Sequence, residues 1–148
     1  MNSSEFRIVT DPSPEQIAFL EDRLYEFNVA ATGIGTGEHL AIVVRDERDR
    51  VVAGICGNTW GGVCEIRQLW VDASRRGTGV GRGLLQAAET EARRLGCAQM
   101  VLSTFSFQAP QFYARYGFEV VSIVEDFPLG HRSLLLRKRL SEGAASAN

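Results

Sequence analysis

The chain has 148 residues, of which 45% are hydrophobic and 23% charged, with a formal net charge of -2. That is the composition of one ordinary globular domain, and it gives no support to a nucleic-acid binder working by bulk electrostatics. No apolar run reaches the length of a membrane span. Met1 to Arg7 lacks the basic and apolar regions of a secretory signal. Three widely spaced cysteines, Cys56, Cys64 and Cys97, make neither a disulfide framework nor a zinc-ligand pattern, so no metal site is expected. These features describe a reduced, cytoplasmic domain over residues 1–140. The small polar residues 141–148 read as a flexible tail. Lys138 is the only lysine among the basic residues, which reads as codon bias rather than chemistry.

Phe6–Val9 reads as a short first strand. Ser13, Pro14 and Gln16 form the signature of a helix start with a capping box. Ile17, Leu20, Leu24 and Phe27 continue at helical spacing, and the helix is expected to end before the glycine-bearing stretch 31–37. Leu40–Val44 and Val51–Ile55 flank a polar turn and predict a hairpin, with Val63–Val71 as the next strand of the meander. After a glycine-rich turn, Leu84, Leu85, Ala88, Ala92 and Leu95 mark the apolar stripe of a helix. Glu89, Glu91, Arg93 and Arg94 are placed outside, and Gly96 stands at the C-terminal cap. Met100–Ser103 follows that helix as a strand, which makes a crossover and a parallel pair. A short helix runs from Pro110 through Tyr116 and is stopped by Gly117. Phe118–Val124 and Ser133–Leu136 close as an antiparallel pair. The order β-α-β-β-β-α-β-α-β-β predicts an α/β (α+β) fold on a mixed sheet.

The most informative segment is 71–83, Val-Asp-Ala-Ser-Arg-Arg-Gly-Thr-Gly-Val-Gly-Arg-Gly. It joins a strand to a helix. Its glycines clear the backbone for a ligand, and its N–H groups and the helix dipole favour an anion. A Walker loop would need a lysine that is absent, and a dinucleotide fingerprint would need glycine where Arg82 stands. Arg75 and Arg76 beside the turn favour a phosphate site over a merely tight turn.

Three pieces together resemble the GNAT superfamily of acyl-CoA-dependent N-acyltransferases. They are Arg76-Gly-Thr-Gly-Val-Gly81, the strand Leu69-Trp-Val71 before it, and Phe112-Tyr113-x-x-x-Gly117-Phe118. They span about Glu65 to Phe118 in the order the family requires. The resemblance implies a mostly antiparallel sheet whose central parallel pair, Val63–Val71 and Met100–Ser103, splays to admit acetyl-CoA, with helices on both faces. It implies that Leu69, Trp70 and Val71 pair with the pantetheine arm and that the Leu69 N–H faces the thioester oxygen. Arg76, Gly77, Thr78, Gly79, Val80 and Gly81 would hold the pyrophosphate. Tyr113 matches the family's proton donor to the departing sulfur. A packed aromatic is the plainer reading of its helix, and the Phe-Tyr-x-x-x-Gly-Phe context favours the donor. Ser106 stands where the family often has an asparagine touching the cofactor.

Glu65 stands where one branch of the family has its general base, and a solvent-facing strand carboxylate explains it equally. His39 and His131, each at a strand start, read as surface residues. The implied activity is transfer of an acetyl group from acetyl-CoA to a primary amine of a small molecule or peptide by direct attack. A non-catalytic acyl-CoA-binding module or sensor is the alternative, and a homodimer is possible on the same resemblance. Glu26, Glu38, Glu125 and Asp126, set against Arg132, favour a cationic acceptor.

Overall fold

The computed structural model describes residues 5–140; residues 1–4 and 141–148, including the expected flexible tail, lie outside the described residues. By its internal contacts the chain divides into two units, one up to Gly35 and one from Thr36 onward.

The first unit is essentially one helix, α1 (Pro14–Thr32). The Ser13 hydroxyl accepts from the Gln16 N–H, and the Gln16 side chain accepts from the Ser13 N–H at 2.8 Å, so the capping box forms as its sequence dictates. The helix runs past Ala31 to Thr32, because Gly33 is the first residue that adopts the left-handed cap, at φ 75°. The strand expected at Phe6–Val9 does not form. These residues have no ladder partner among the described residues, and apolar alternation without a partner does not make a strand.

The second unit carries a six-stranded mixed sheet, ordered β1-β2-β3-β4-β6-β5. Its strands are β1 (Glu38–Arg45), β2 (Val51–Trp60), β3 (Val63–Val71), β4 (Gln99–Phe105), β5 (Glu119–Glu125) and β6 (Arg132–Arg139). All neighbours are antiparallel except β3 and β4. That exception follows from the crossover helix α2 (Val80–Arg94) between them. A short helix, α3 (Pro110–Ala114), joins β4 to β5. Among the described residues no helix is long and apolar enough to cross a membrane.

The core lies on the face covered by α2. Leu84, Leu85, Ala88 and Ala92 of that helix pack with Ile55, Cys64, Ile66, Met100, Leu102 and Leu136 of the sheet. One expectation for α2 is corrected here. Glu89 is not an outward residue: its carboxylate accepts from Lys138 Nζ at 2.8 Å, and its side chain is only 19% exposed. Burial opposes the charge, but the bonds from Lys138 and Arg93 outweigh it and hold the carboxyl below its ordinary range. The single lysine of the chain thus ties β6 to α2. Its stem passes 3.4 Å from the place where a Cβ on Gly117 would stand.

Between β2 and β3 the register shifts: Cys56 faces Gln68, but Gly57 faces Ile66, so Arg67 is the extra residue of a bulge. At Gly57 the backbones approach so closely that a Cβ would lie 1.9 Å from the Glu65 carbonyl oxygen. Gly57→Ala is therefore expected to destabilise the protein by about 3 kcal/mol or more, because backbone rather than a flexible side chain must move. Urea unfolding measures it, and a loss below about 0.5 kcal/mol contradicts the steric account.

Cys64 is fully buried, and burial, with the Cys97 thiol beside it, pushes its pKa up to about 11. A raised thiol pKa means stability that is whole below the unfolded value and is lost as pH rises through the folded one. Unfolding midpoints should fall between pH 9 and 11. Cys64→Val should remove about 2–3 kcal/mol of that fall. Identical slopes in the two proteins contradict the assignment.

Candidate active site

The bulge and the splay coincide. β3 pairs with β4 only from Val63↔Gln99 to Ile66↔Leu102. At the next residue, Arg67, the bulge bends β3, and the two strands part while β4 stays paired with β6 as far as Phe105↔Ser133. The wedge between them is a cleft of ≈ 620 Å³. Leu69, Trp70, Val71 and Arg76 form one wall; Ser103, Thr104, Phe107, Gln108, Ala109 and Tyr113 form the other.

The ladder alternation shows what β3 presents to this cleft. The Asp72 N–H donates to the Val52 carbonyl at 2.8 Å, so Val52 and Asp72 are a hydrogen-bonded pair. Counting back along the register, Trp70 and Gln68 also point their backbone groups at β2. Leu69 and Val71 then point theirs away from β2, to the side that β4 has vacated. Two N–H donors of a central strand are left for a ligand, a costly arrangement unless something binds them.

At the far end of that wall the chain turns through Ala73–Arg75 and the glycine loop into α2. Gly77 and Gly79 sit at φ 75° and 88°, which only glycine adopts freely, and a Cβ on either would meet nothing within 4 Å. The loop is thus shaped by backbone conformation and open above. Gly79 is the N-cap of α2 and makes no side-chain cap bond, so the first-turn N–H groups of the helix keep their donors. The Arg76 Nε donates to the Val71 carbonyl at 3.1 Å, folding the guanidinium back over the end of β3. Thr78 caps the turn from within, its hydroxyl donating to the Arg75 carbonyl. Gly81 lies against Phe112 and Val71, each 3.6 Å from a notional Cβ, and Val80 packs on the core. The expected pyrophosphate residues therefore stand together at one end of the cleft.

Tyr113 is held on α3, which Pro110 starts and which ends at Ala114, short of the expected Tyr116; Arg115 is its C-cap, and the chain turns through Gly117, at φ 90°, into β5. Its ring meets Phe112 and Phe118 edgewise, at 5.2 and 5.8 Å between centroids. The side chain is 9% exposed and lines the cleft. Its hydroxyl has no hydrogen-bond partner among the described residues, yet it is not sealed from solvent. Burial raises its pKa, so the phenol is fully protonated at neutral pH.

Two expected residues fall elsewhere. Ser106 is not in the cleft wall. Its hydroxyl accepts from the Arg132 N–H at 3.0 Å, and its own N–H donates to the Arg132 carbonyl, so it fastens the end of β4 to β6. Glu65 is not in the larger cleft either. It lines a second recess of ≈ 290 Å³, with Ile66, Arg67, Val101, Leu102, Ser103 and Leu135. Its carboxylate accepts from Arg67 Nε at 3.1 Å. The two hollows share Ile66, Arg67, Leu102 and Ser103, the residues at the point of splay. His131 sets its ring edgewise to Phe107 at 5.0 Å, and His39 faces Asn58 across the β1–β2 ladder. The sequence reading missed Arg67. Its signal was Gly57, a lone glycine inside a strand pattern, which marks a bulge.

The profile of the Acetyltransferase (GNAT) family matches residues 5–118. The chain is 39% identical over 95 residues to the blasticidin-S acetyltransferase of Streptomyces morookaense, covering 64% of this chain and 70% of that protein. It is 32% identical over 120 residues to an acetyltransferase of Agrobacterium fabrum, covering 81% of this chain and 88% of that one. The crystal structure of an acetyltransferase from Bacillus cereus superposes with a TM-score of 0.77 at 30% identity, over 90% of this chain and 98% of that one. Relatives named for catalysis favour the enzyme over a binding module that lacks chemistry. The chain belongs to the acetyltransferase (GNAT) family and is an acetyl-transferring enzyme.

Proposed function

We propose that the protein receives acetyl-CoA along the wedge between β3 and β4 and acetylates a primary amine of a small molecule, which enters from the smaller recess. The observation that carries this reading is the pair of backbone donors at Leu69 and Val71 that face the wedge beside an uncapped helix start. Acetyl-CoA supplies an activated acetyl group as its thioester. The donors of Leu69 and Val71 take the pantetheine arm as a sheet takes an added strand, with Trp70 along the same wall. The Leu69 N–H faces the thioester oxygen and stabilises the negative charge that develops there. The backbone from Gly77 to Gly81, with Thr78 and Val80 between the glycines, and the Arg76 guanidinium hold the pyrophosphate. Ser106 holds the end of β4 to β6.

Tyr113 gives its proton to the sulfur that leaves. A phenol kept neutral by burial, with its O–H uncommitted, is suited to that task. Glu65 takes the proton of the incoming ammonium, directly or through one water, from the acceptor side of the splay. The size of the recess, ≈ 290 Å³, suits a small molecule better than a peptide. The name of the Streptomyces relative, a blasticidin-S acetyltransferase, points the same way. The three free thiols suit a reducing compartment, the cytoplasm.

A thiol-release assay with acetyl-CoA and a panel of amines tests the activity. Thiol release that requires an amine is the expected result; tight CoA binding with no release on any amine identifies a binding module instead. In the same assay Tyr113→Phe should lower turnover about 10²–10⁴-fold, with little change in acetyl-CoA affinity. Wild-type turnover in that variant, with thiol release rate-limiting, removes Tyr113 from the reaction.

A further inference from the structure

The smaller recess holds a charged pair of which the scheme above uses only one member. Arg67 donates one N–H, from Nε, to Glu65 Oε1. Among the described residues its Nη1 and Nη2 have no hydrogen-bond partner. A guanidinium offers five N–H donors in a fixed planar fork, and the fork matches a carboxylate. Here four of the five remain free, on a side chain that lines both the recess and the larger cleft. Its side chain is 61% exposed and that of Glu65 48%, so the pair stands at the open edge of the recess. Arg67 is the extra residue of the bulge, and a bulge re-aims the side chain it carries. The closeness of Gly57 to the Glu65 carbonyl fixes that bulge.

Resting on the acetyl-transfer reading, we infer that the acceptor is an amine bearing a carboxylate on the same small molecule, as in an α-amino acid, and that Arg67 is the residue that selects it. In such a molecule an ammonium and a carboxylate are close neighbours, as are the Glu65 carboxylate and the Arg67 guanidinium. Bound with its ammonium toward Glu65 and its carboxylate toward Arg67, the acceptor completes a ring of charges of alternating sign. Val101, Leu102 and Leu135 line the rest of the recess and suit a short apolar side group, with Ser103 the one hydroxyl. Glu38, Glu125 and Asp126, which favoured a cationic acceptor, do not line this recess. A diamine would set its second cation near Arg67, and a plain monoamine would leave the fork unused. In the reaction a nitrogen–carbon bond forms to the acetyl group and the carbon–sulfur bond breaks. The ammonium nitrogen loses two protons: Glu65 takes the first before attack, the sulfur receives one from Tyr113 as it leaves, and the nitrogen's second proton returns through solvent to the Tyr113 phenolate.

Matched pairs of amino acid and decarboxylated amine test this in the thiol-release assay: leucine with 3-methylbutylamine, phenylalanine with phenethylamine, lysine with cadaverine. The wild type should prefer the carboxylated member of a pair in kcat/KM. Arg67→Met should reduce that preference at least tenfold, chiefly by raising the KM of the amino acid, and Arg67→Lys should retain part of it. A wild type that uses plain amines as well as their carboxylated partners overturns the proposal, whatever the variants do. So does a ratio that Arg67→Met leaves within threefold of wild type. Both results leave acetyl transfer standing, whereas no release from any amine overturns it as well.

Discussion

At one point in this sheet two strands approach so closely that no side chain fits between them. Gly57 of β2 lies where a Cβ would stand 1.9 Å from the Glu65 carbonyl of β3. That approach accommodates one extra residue, Arg67, on the neighbouring strand. A strand with an extra residue bends, and β3 bends away from β4 immediately after its last pairing at Ile66. The cleft, the two vacated backbone donors and the smaller recess beside them all follow from that bend.

A parallel sheet interior is normally a poor place for chemistry, because its backbone groups are fully paired and its faces covered. Here the splay exposes two donors of a central strand without unravelling it. β3 keeps its ladder with β2 up to Val71, and β4 keeps its ladder with β6. The cost of leaving N–H groups of Leu69 and Val71 unpaired is of the order of 1–3 kcal/mol each if they are desolvated, and a ligand strand laid in the cleft would offset it. Elsewhere the unit compensates with ties across its elements. Lys138 joins β6 to α2 through Glu89, and Ser106 joins the end of β4 to Arg132. The second of these fixes the β4 wall of the wedge from behind.

Local signals made much of this legible. The capping box at Ser13, the hairpin between β1 and β2, the bounds of β3 and the glycine-rich turn into α2 are each decided by residues within one turn or one strand, and each stands where the sequence puts it. What escaped depends on partners distant in sequence. Apolar alternation at Phe6–Val9 suggested a strand, but a strand requires a neighbour. Glu89 looked outward on a helical wheel because Lys138, 49 residues later, was not in view. The bond from the Arg132 N–H to the Ser106 hydroxyl, 26 residues apart, was likewise out of view. Arg67 escaped because a register shift is a property of two strands; only the glycine that permits it was visible.

The central claim is that bending at Arg67 turns the backbone of Leu69 and Val71 into a ligand site continuous with the glycine loop. Amide hydrogen exchange with and without coenzyme A tests it residue by residue. The account predicts that the cofactor slows exchange at Leu69, Val71 and Gly77–Gly81, with little change at Trp70 and Gln68, whose N–H groups already face β2. Protection that skips Leu69 and Val71 while coenzyme A is demonstrably bound would contradict it.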